Sequence, residues 1–138
     1  MEKRIKDKIE QIDKYLYDLE RYKPGDIETY LANKDKKAIC ERYLERITEA
    51  IVDLAYLVIK NKGFDLPEND LQAFDILKDK EIITEELGER LKDARRMRNI
   101  LIHQYGEIND EIVFNTANEE IERDANEFID CVEKCLGD

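Results

Sequence analysis

The stretch Ile39-Cys40-Glu41-Arg42-Tyr43-Leu44-Glu45-Arg46-Ile47-Thr48-Glu49-Ala50-Ile51-Val52-Asp53-Leu54-Ala55-Tyr56-Leu57-Val58 decides the fold. Its apolar positions are Ile39, Tyr43, Leu44, Ile47, Ala50, Ile51, Leu54, Leu57 and Val58. They recur every three or four residues and cover more than a single stripe. A helix of that kind has neighbours on several sides, so it belongs at the centre of a bundle. Asn33 or Asp35 can cap its start, and Gly63 supplies its stop.

Upstream, Ile5, Ile9, Ile12, Leu16 and Leu19 are spaced 4, 3, 4, 3 along a helix from Glu2 to about Tyr22. Lys23-Pro24-Gly25 ends it, and Asp26 to Ala32 can add a turn or two. Downstream, Phe64 to Pro67 is a connector, and Asn69 or Asp70 can start a short helix through Leu77. A further helix runs from a Thr84 cap to about His103, with Leu87, Leu91, Ala94, Met97 or Arg98, and Leu101 on one face. Tyr105-Gly106 closes it. The last helix opens at Asn109 or Asp110 and runs to Leu136, with Ile112, Val113, Ala117, Ile121, Ala125, Phe128 and Val132 inward. The expectation is an all-α, antiparallel bundle of four long helices plus a short fifth, one domain over residues 1–138.

Composition agrees with that class. The 138 residues include only five Gly and two Pro, too few for a turn-rich β-fold. Hydrophobic residues make up 42%, enough for a packed core although 41% of the chain is charged. Lys and Arg number 23 against 34 Asp and Glu, a net charge of −11, which excludes nucleic-acid binding through a global positive field. Any RNA role therefore needs a local basic cleft. No apolar run approaches a membrane span, and Met1 to Glu10 lacks the apolar core of a signal peptide, so a cytoplasmic protein is expected. Cys40, Cys131 and Cys135 are odd in number and lack framework spacing, which reads as buried, reduced thiols. Those three with His103, the single histidine, could furnish four zinc ligands on paper, but no paired spacing supports a metal site.

Chemistry concentrates in Arg95-Arg96-Met97-Arg98-Asn99-Ile100-Leu101-Ile102-His103-Gln104-Tyr105-Gly106. Its plainest reading is electrostatic. Glu81, Glu85, Glu86 and Glu89 precede Arg90, Lys92, Arg95, Arg96 and Arg98, which is the polarity a helix macrodipole favours. The functional reading rests on the combination. Asn99 and His103 stand four apart on one face, whereas Arg98 precedes His103 by five residues, about 140° around the helix. One helix cannot easily aim both at one phosphate, but two copies in a dimer can. Guanidinium, amide, imidazole and phenol together suit metal-free phosphodiester cleavage.

Here the sequence resembles the HEPN-domain proteins. Arg98-Asn99-x₃-His103 matches their R-polar-x₃-H motif, and Arg98-x₄-His103-x-Tyr105 matches the form found in the HepT toxins. Glu41 to Asp53 is similar to the signature of that family's second long helix. The resemblance covers nearly the whole chain. It implies a homodimeric ribonuclease, the toxin of a toxin–antitoxin pair, and no cofactor or metal is expected because no carboxylate cluster of the two-metal type is apparent. Its implied partner is MntA, a minimal nucleotidyltransferase that acts as antitoxin. By position, Arg98 and His103 are then the catalytic pair and Asn99 the polar residue beside the arginine. Tyr105 is the tyrosine that the antitoxin adenylylates. Glu49 and Asp53 match acidic positions facing the cleft. Arg95 and Arg96 are expected to draw RNA in at short range. Two alternatives stay open at this point: a non-catalytic companion subunit of such a nucleotidyltransferase, holding a nucleotide or partner, and an unrelated four-helix protein.

Overall fold

In the computed structural model the described residues are 2–103 and 110–137, with His103 described by its backbone alone. They form α1 (Glu2–Tyr22), α2 (Ile27–Ala32), α3 (Lys34–Lys62), α4 (Asp70–Asp79), α5 (Glu85–His103), α6 (Asp110–Asn115), a π-helical turn (Thr116–Glu120) and α7 (Ile121–Gly137). No strand occurs among them, as the sequence pattern predicts.

Helix boundaries follow the capping chemistry. Asp26 accepts from the Thr29 amide at 2.8 Å and starts α2. Asn33 ends α2 by donating its N–H to the Thr29 carbonyl, and it starts α3 by accepting from Lys36 N–H at 3.0 Å. Asn69 and Thr84 cap α4 and α5 in the same way. Gly63 stops α3 at φ 72°, a left-handed conformation that glycine adopts without Cβ strain. Glu81 takes a similar conformation (φ 61°) after α4, and the Ile82 amide reaches back to the Leu77 carbonyl there. A non-glycine residue at that position carries a modest strain.

α3 is the axis of the molecule. Leu44, Ile47, Ile51, Leu54, Ala55, Val58 and Ile59 are all buried, and α1, α2, α4, α5 and α7 pack around them. Cross-links fix the helix directions. Lys8 of α1 meets Asp53 while Tyr15 and Tyr22 meet Tyr43, so α1 runs against α3. Arg98 meets Glu49 and Arg95 meets Asp70 beside Tyr56, so α5 also opposes α3. Arg90 pairs with Asp124 and Glu127 of α7, tying the last helix to α5.

The core contains the expected sets with informative differences. Leu16, Ile39, Tyr43, Leu57 and Met97 are only partly buried at the margins of their stripes. Ile112, expected inward, is 57% exposed, a correction that follows from its place at the start of α6, one residue ahead of buried Val113. The short α4 contributes more than its length suggests, because Phe74 and Leu77 are fully inside and Phe74 meets Phe128 edge-on. Tyr30 of α2 is buried against Phe114. Of the thiols expected to be buried, only Cys40 is; Cys131 and Cys135 are half-buried, a correction that follows from their place at the edge of the α7 stripe whose centre is held by Phe128 and Val132.

The last helix is broken by its π-turn. Val113, Ala117, Ile121 and Ala125 are spaced by four, and in an α-helix each such step overshoots a full turn by about 40°. A wider turn at 116–120 absorbs the drift and keeps all four buried. Side chains satisfy carbonyls around it: Thr116 Oγ1 donates to Ile112 O, Asn118 Nδ2 to Phe114 O, and Lys23 Nζ to Asn118 O.

Burial, then the nearby Glu41 carboxylate, pushes the Cys40 thiol up to about 11, and burial raises the Tyr30 hydroxyl beyond its ordinary range. Both groups hold their protons more tightly in the fold than in the unfolded chain. The Cys40 contribution to stability is therefore complete below the ordinary thiol range and is lost as pH rises toward 11, whereas the Tyr30 contribution begins to fall only above the ordinary phenol range. Urea unfolding midpoints should fall from about pH 9 upward, more steeply than in Cys40→Ala corrected for its own cavity cost. Iodoacetamide at pH 8 should label Cys40 only after denaturation; rapid labelling of the native chain contradicts this account of its burial.

Candidate active site around Arg98

α5 carries the candidate site on its last turns. Leu87, Leu91, Ala94 and Leu101 anchor one face of the helix in the core. Arg98 continues that same stripe, at spacings of four, three, four and three from Leu87 to Leu101, while Arg95 and Asn99 lie to one side of it. Arg98 and Arg95 are comparably enclosed, their side chains 20% and 19% exposed. The Arg98 Nη2 lies 3.6 Å from Glu49 Oε2 across the helix interface. Its Nε is buried with no hydrogen-bond partner among the described residues. A guanidinium positioned by one carboxylate, with donor capacity unused, can accept an anion without first dismantling a full set of bonds.

The structure thus brings Glu49 together with Arg98. Asp53, one turn along α3, does not touch Arg98 and instead takes Lys8 of α1 at 3.3 Å. Glu49 and Asp53 do line one small groove of about 210 Å³, with Lys8, Gln11, Arg42 and Arg46 among its other walls. Asn99 is exposed, and its Oδ1 accepts from Arg95 Nη1 at 3.1 Å. His103 ends α5, so the backbone places it five residues beyond Arg98 on the same helix. Tyr105 lies outside the described residues.

The basic run itself is more compensated than its sequence implies. Arg90 holds Asp124 and Glu127, and Lys92 holds Asp75 and Glu89. Arg95 donates to Asp70 Oδ2 at 2.8 Å, and Arg96 pairs with Asp93 at 2.8 Å. The Arg96 pair is an exposed i, i+3 contact, worth little in water and readily exchanged for a phosphate. Arg95 is committed more firmly, because Asp70 also accepts from the Tyr56 hydroxyl. Asp124, not singled out by its sequence context, is 5% exposed and accepts from both Arg90 and Arg123. An acid beside Ala125 on an apolar face, with two arginines able to reach it, is the signal that marks it. Among the described residues no group of three or more His, Cys, Asp or Glu is placed to hold a metal ion, and no helix is long and apolar enough to cross a membrane.

An all-α bundle that presents an Arg-polar-x₃-His helix against the acidic face of its central helix defines the HEPN class. Within that class the family model "Ribonuclease HepT-like" matches residues 5–132, and the chain belongs to that family of ribonucleases. It is 28% identical over 110 residues to a protein named tRNA nuclease HepT from Aphanizomenon flos-aquae, covering 80% of this chain and 75% of that one. It is 32% identical over 89 residues to the mRNA nuclease HepT of Shewanella oneidensis, covering 64% and 66% respectively. A solved structure of a tri-AMPylated Shewanella oneidensis HEPN toxin in complex with MNT antitoxin superposes with a TM-score of 0.87 at 26% identity, over 94% of this chain and 96% of that one.

The Glu49–Arg98 contact should matter more for chemistry than for folding. Glu49 is 61% exposed, so Glu49→Gln should change the unfolding free energy by less than about 1 kcal/mol. The same variant should lower RNA cleavage several-fold by loosening Arg98. Unchanged cleavage would remove Glu49 from the site.

Proposed function

We propose that this chain is a metal-independent endoribonuclease, the toxin of a toxin–antitoxin pair, with residues 1–138 working as one HEPN domain in a homodimer. The observation that carries this reading is the Arg98 guanidinium, held by Glu49 yet with a buried free donor, on the helix that ends at His103. In this mechanism the ribose 2′-oxygen attacks the adjacent phosphorus, the bond to the 5′-oxygen breaks, and a cyclic phosphate and a free 5′-hydroxyl result. His103 moves protons, from the 2′-hydroxyl or onto the leaving oxygen. Arg98 stabilises the charge that grows on the pentacoordinate phosphate. Asn99 and Tyr105 orient, Glu49 positions Arg98, and Asp53 shapes the acidic wall beside it. Arg96, and Arg95 on release from Asp70, contact flanking phosphates.

The dimer follows from two features. Arg98 and His103 diverge by about 140° around α5, so a complete site draws on two copies of the helix. Ile100 and Ile102, each 41% exposed, flank that end of α5 and offer apolar surface for a two-fold contact. The partner is a nucleotidyltransferase antitoxin, a role supported by the antitoxin complex of the structural relative. In this reading it adenylylates Tyr105. Each attached nucleotide brings about one negative charge to the place where RNA phosphate would sit, competes for Arg98 and blocks His103.

Three outcomes are expected. Cleavage of cellular RNA by the purified chain should persist in excess EDTA and fall at least about 100-fold in Arg98→Ala and His103→Ala, with helical content unchanged; loss of activity on chelation defeats the mechanism. Ile102→Glu should shift the chain to monomer in sedimentation and reduce cleavage in parallel, and a monomer of full activity contradicts the composite site. With the nucleotidyltransferase and ATP, mass spectrometry should show added AMP on the wild type and none on Tyr105→Phe; a fully modified variant means the acceptor lies elsewhere.

A further inference from the structure

Every arginine of α5 is already matched to a carboxylate, as is Lys92. A chain of net charge −11 that holds a polyanion at Arg98 therefore needs uncompensated cations close by. Such a set lies on the neighbouring surface of α1 and α3. Arg42, Arg46 and Glu49 follow one another at spacings of four and three on α3, so they share a face. Arg42 and Arg46 line the groove that contains Glu49, and they also line a second, adjoining cavity of about 500 Å³ with Tyr22 and Tyr43. From Glu49 to Arg42 is seven residues, about 10 Å of helix.

This cavity has the chemistry of a base-stacking platform. Tyr22 and Tyr43 lie nearly parallel, 13° apart with centroids at 6.1 Å. The Arg21 guanidinium sits 5.7 Å from the Tyr22 ring and 6.0 Å from Tyr17, which is 65% exposed. The acids facing this surface are largely engaged: Glu45 by Arg42, Glu20 by Lys23, Glu49 by Arg98 and Asp53 by Lys8, with Asp18 beside the Tyr43 hydroxyl. Arg21 and Arg46 have no carboxylate within ion-pairing distance among the described residues.

We propose that this surface binds the single-stranded RNA flank of the cleaved phosphodiester, with a base on the Tyr22–Tyr43 pair and phosphates on Arg46 and Arg21. The proposal deepens the ribonuclease reading and rests on it. Aromatic rings beside unpaired arginines favour unstacked bases over a duplex, whose bases are already stacked. The platform therefore makes the enzyme prefer unpaired segments such as loops and ends.

The test measures binding of a fluorescently labelled oligouridylate decamer by anisotropy, using the full chain carrying His103→Ala to prevent cleavage. Tyr22→Ala and Arg46→Glu should each weaken binding about tenfold, and Tyr22→Phe should retain it. Arg46→Glu should also flatten the salt dependence of the affinity. Both positions are exposed, so folding is preserved, and Tyr17→Ala with Arg21→Gln provides a second probe of the same surface. Affinities within about twofold of the parent across all these variants overturn the proposal, as does a Tyr22→Phe loss equal to that of Tyr22→Ala. Variants that keep RNA affinity but change the oligomeric state, or lose the nucleotidyltransferase, overturn it in favour of a protein interface. A wild type that neither cleaves nor binds RNA brings down the ribonuclease reading and this proposal together, whereas cleavage with unaltered variant affinities brings down the platform alone.

Discussion

Burial of α3 along nearly its whole length is the constraint from which the rest of the architecture follows. Its apolar surface spans most of its circumference, so no single partner helix can cover it. α1 takes one flank, α5 and α4 another, and α7 with α2 complete the enclosure. Between Cys40 and Ile59 only the ridge carrying Arg42, Arg46, Glu49 and Asp53 stays open. That ridge is where α3 can present charge, and the antiparallel run of α5 brings Arg98 to it. The site is thus a by-product of how a wide hydrophobic helix finds enough neighbours.

Electrostatics then divide the surface. The α5 helix is rich in arginine, yet α3, α4 and α7 supply acids that pair with it. This pairing fits an acidic chain: isolated cations would be lost in the surrounding negative field, and paired ones instead hold helices together. The Arg90–Asp124 pair is the most structural of these, because Asp124 is buried and its charge has no other large compensation than Arg90 and Arg123. Arg98 stands apart, with an exposed partner and a buried free donor. The difference between a structural and a functional arginine on this helix is therefore one of what faces it.

Much of the fold was legible beforehand because the signals were local. Asn33, Asn69, Thr84 and Gly63 cap or stop helices through their own side chains or backbone freedom, and each does so in the structure. The π-turn was also present in the pattern, in the spacing of four repeated from Val113 to Ala125. It is recognised only when the drift per step is worked out. Ile112 read as inward because it adjoins Val113, and periodicity alone does not say which of two adjacent apolar residues wins the buried position at a helix start.

The sequence by itself determined the helical class, the caps, the apolar faces and the Arg98-Asn99-x₃-His103 string, since these depend on residues a few positions apart. Tertiary structure decided which charges are spent. Arg95 goes to Asp70, Arg96 to Asp93, and Asp53 to Lys8, while Glu49 reaches Arg98 across 49 residues of sequence. It also brought Tyr22 of α1 onto Tyr43 of α3, beside two arginines without carboxylate partners among the described residues. Ion pairing and ring stacking act over a few ångströms in space, and only the packing of helices says which distant residues come that close.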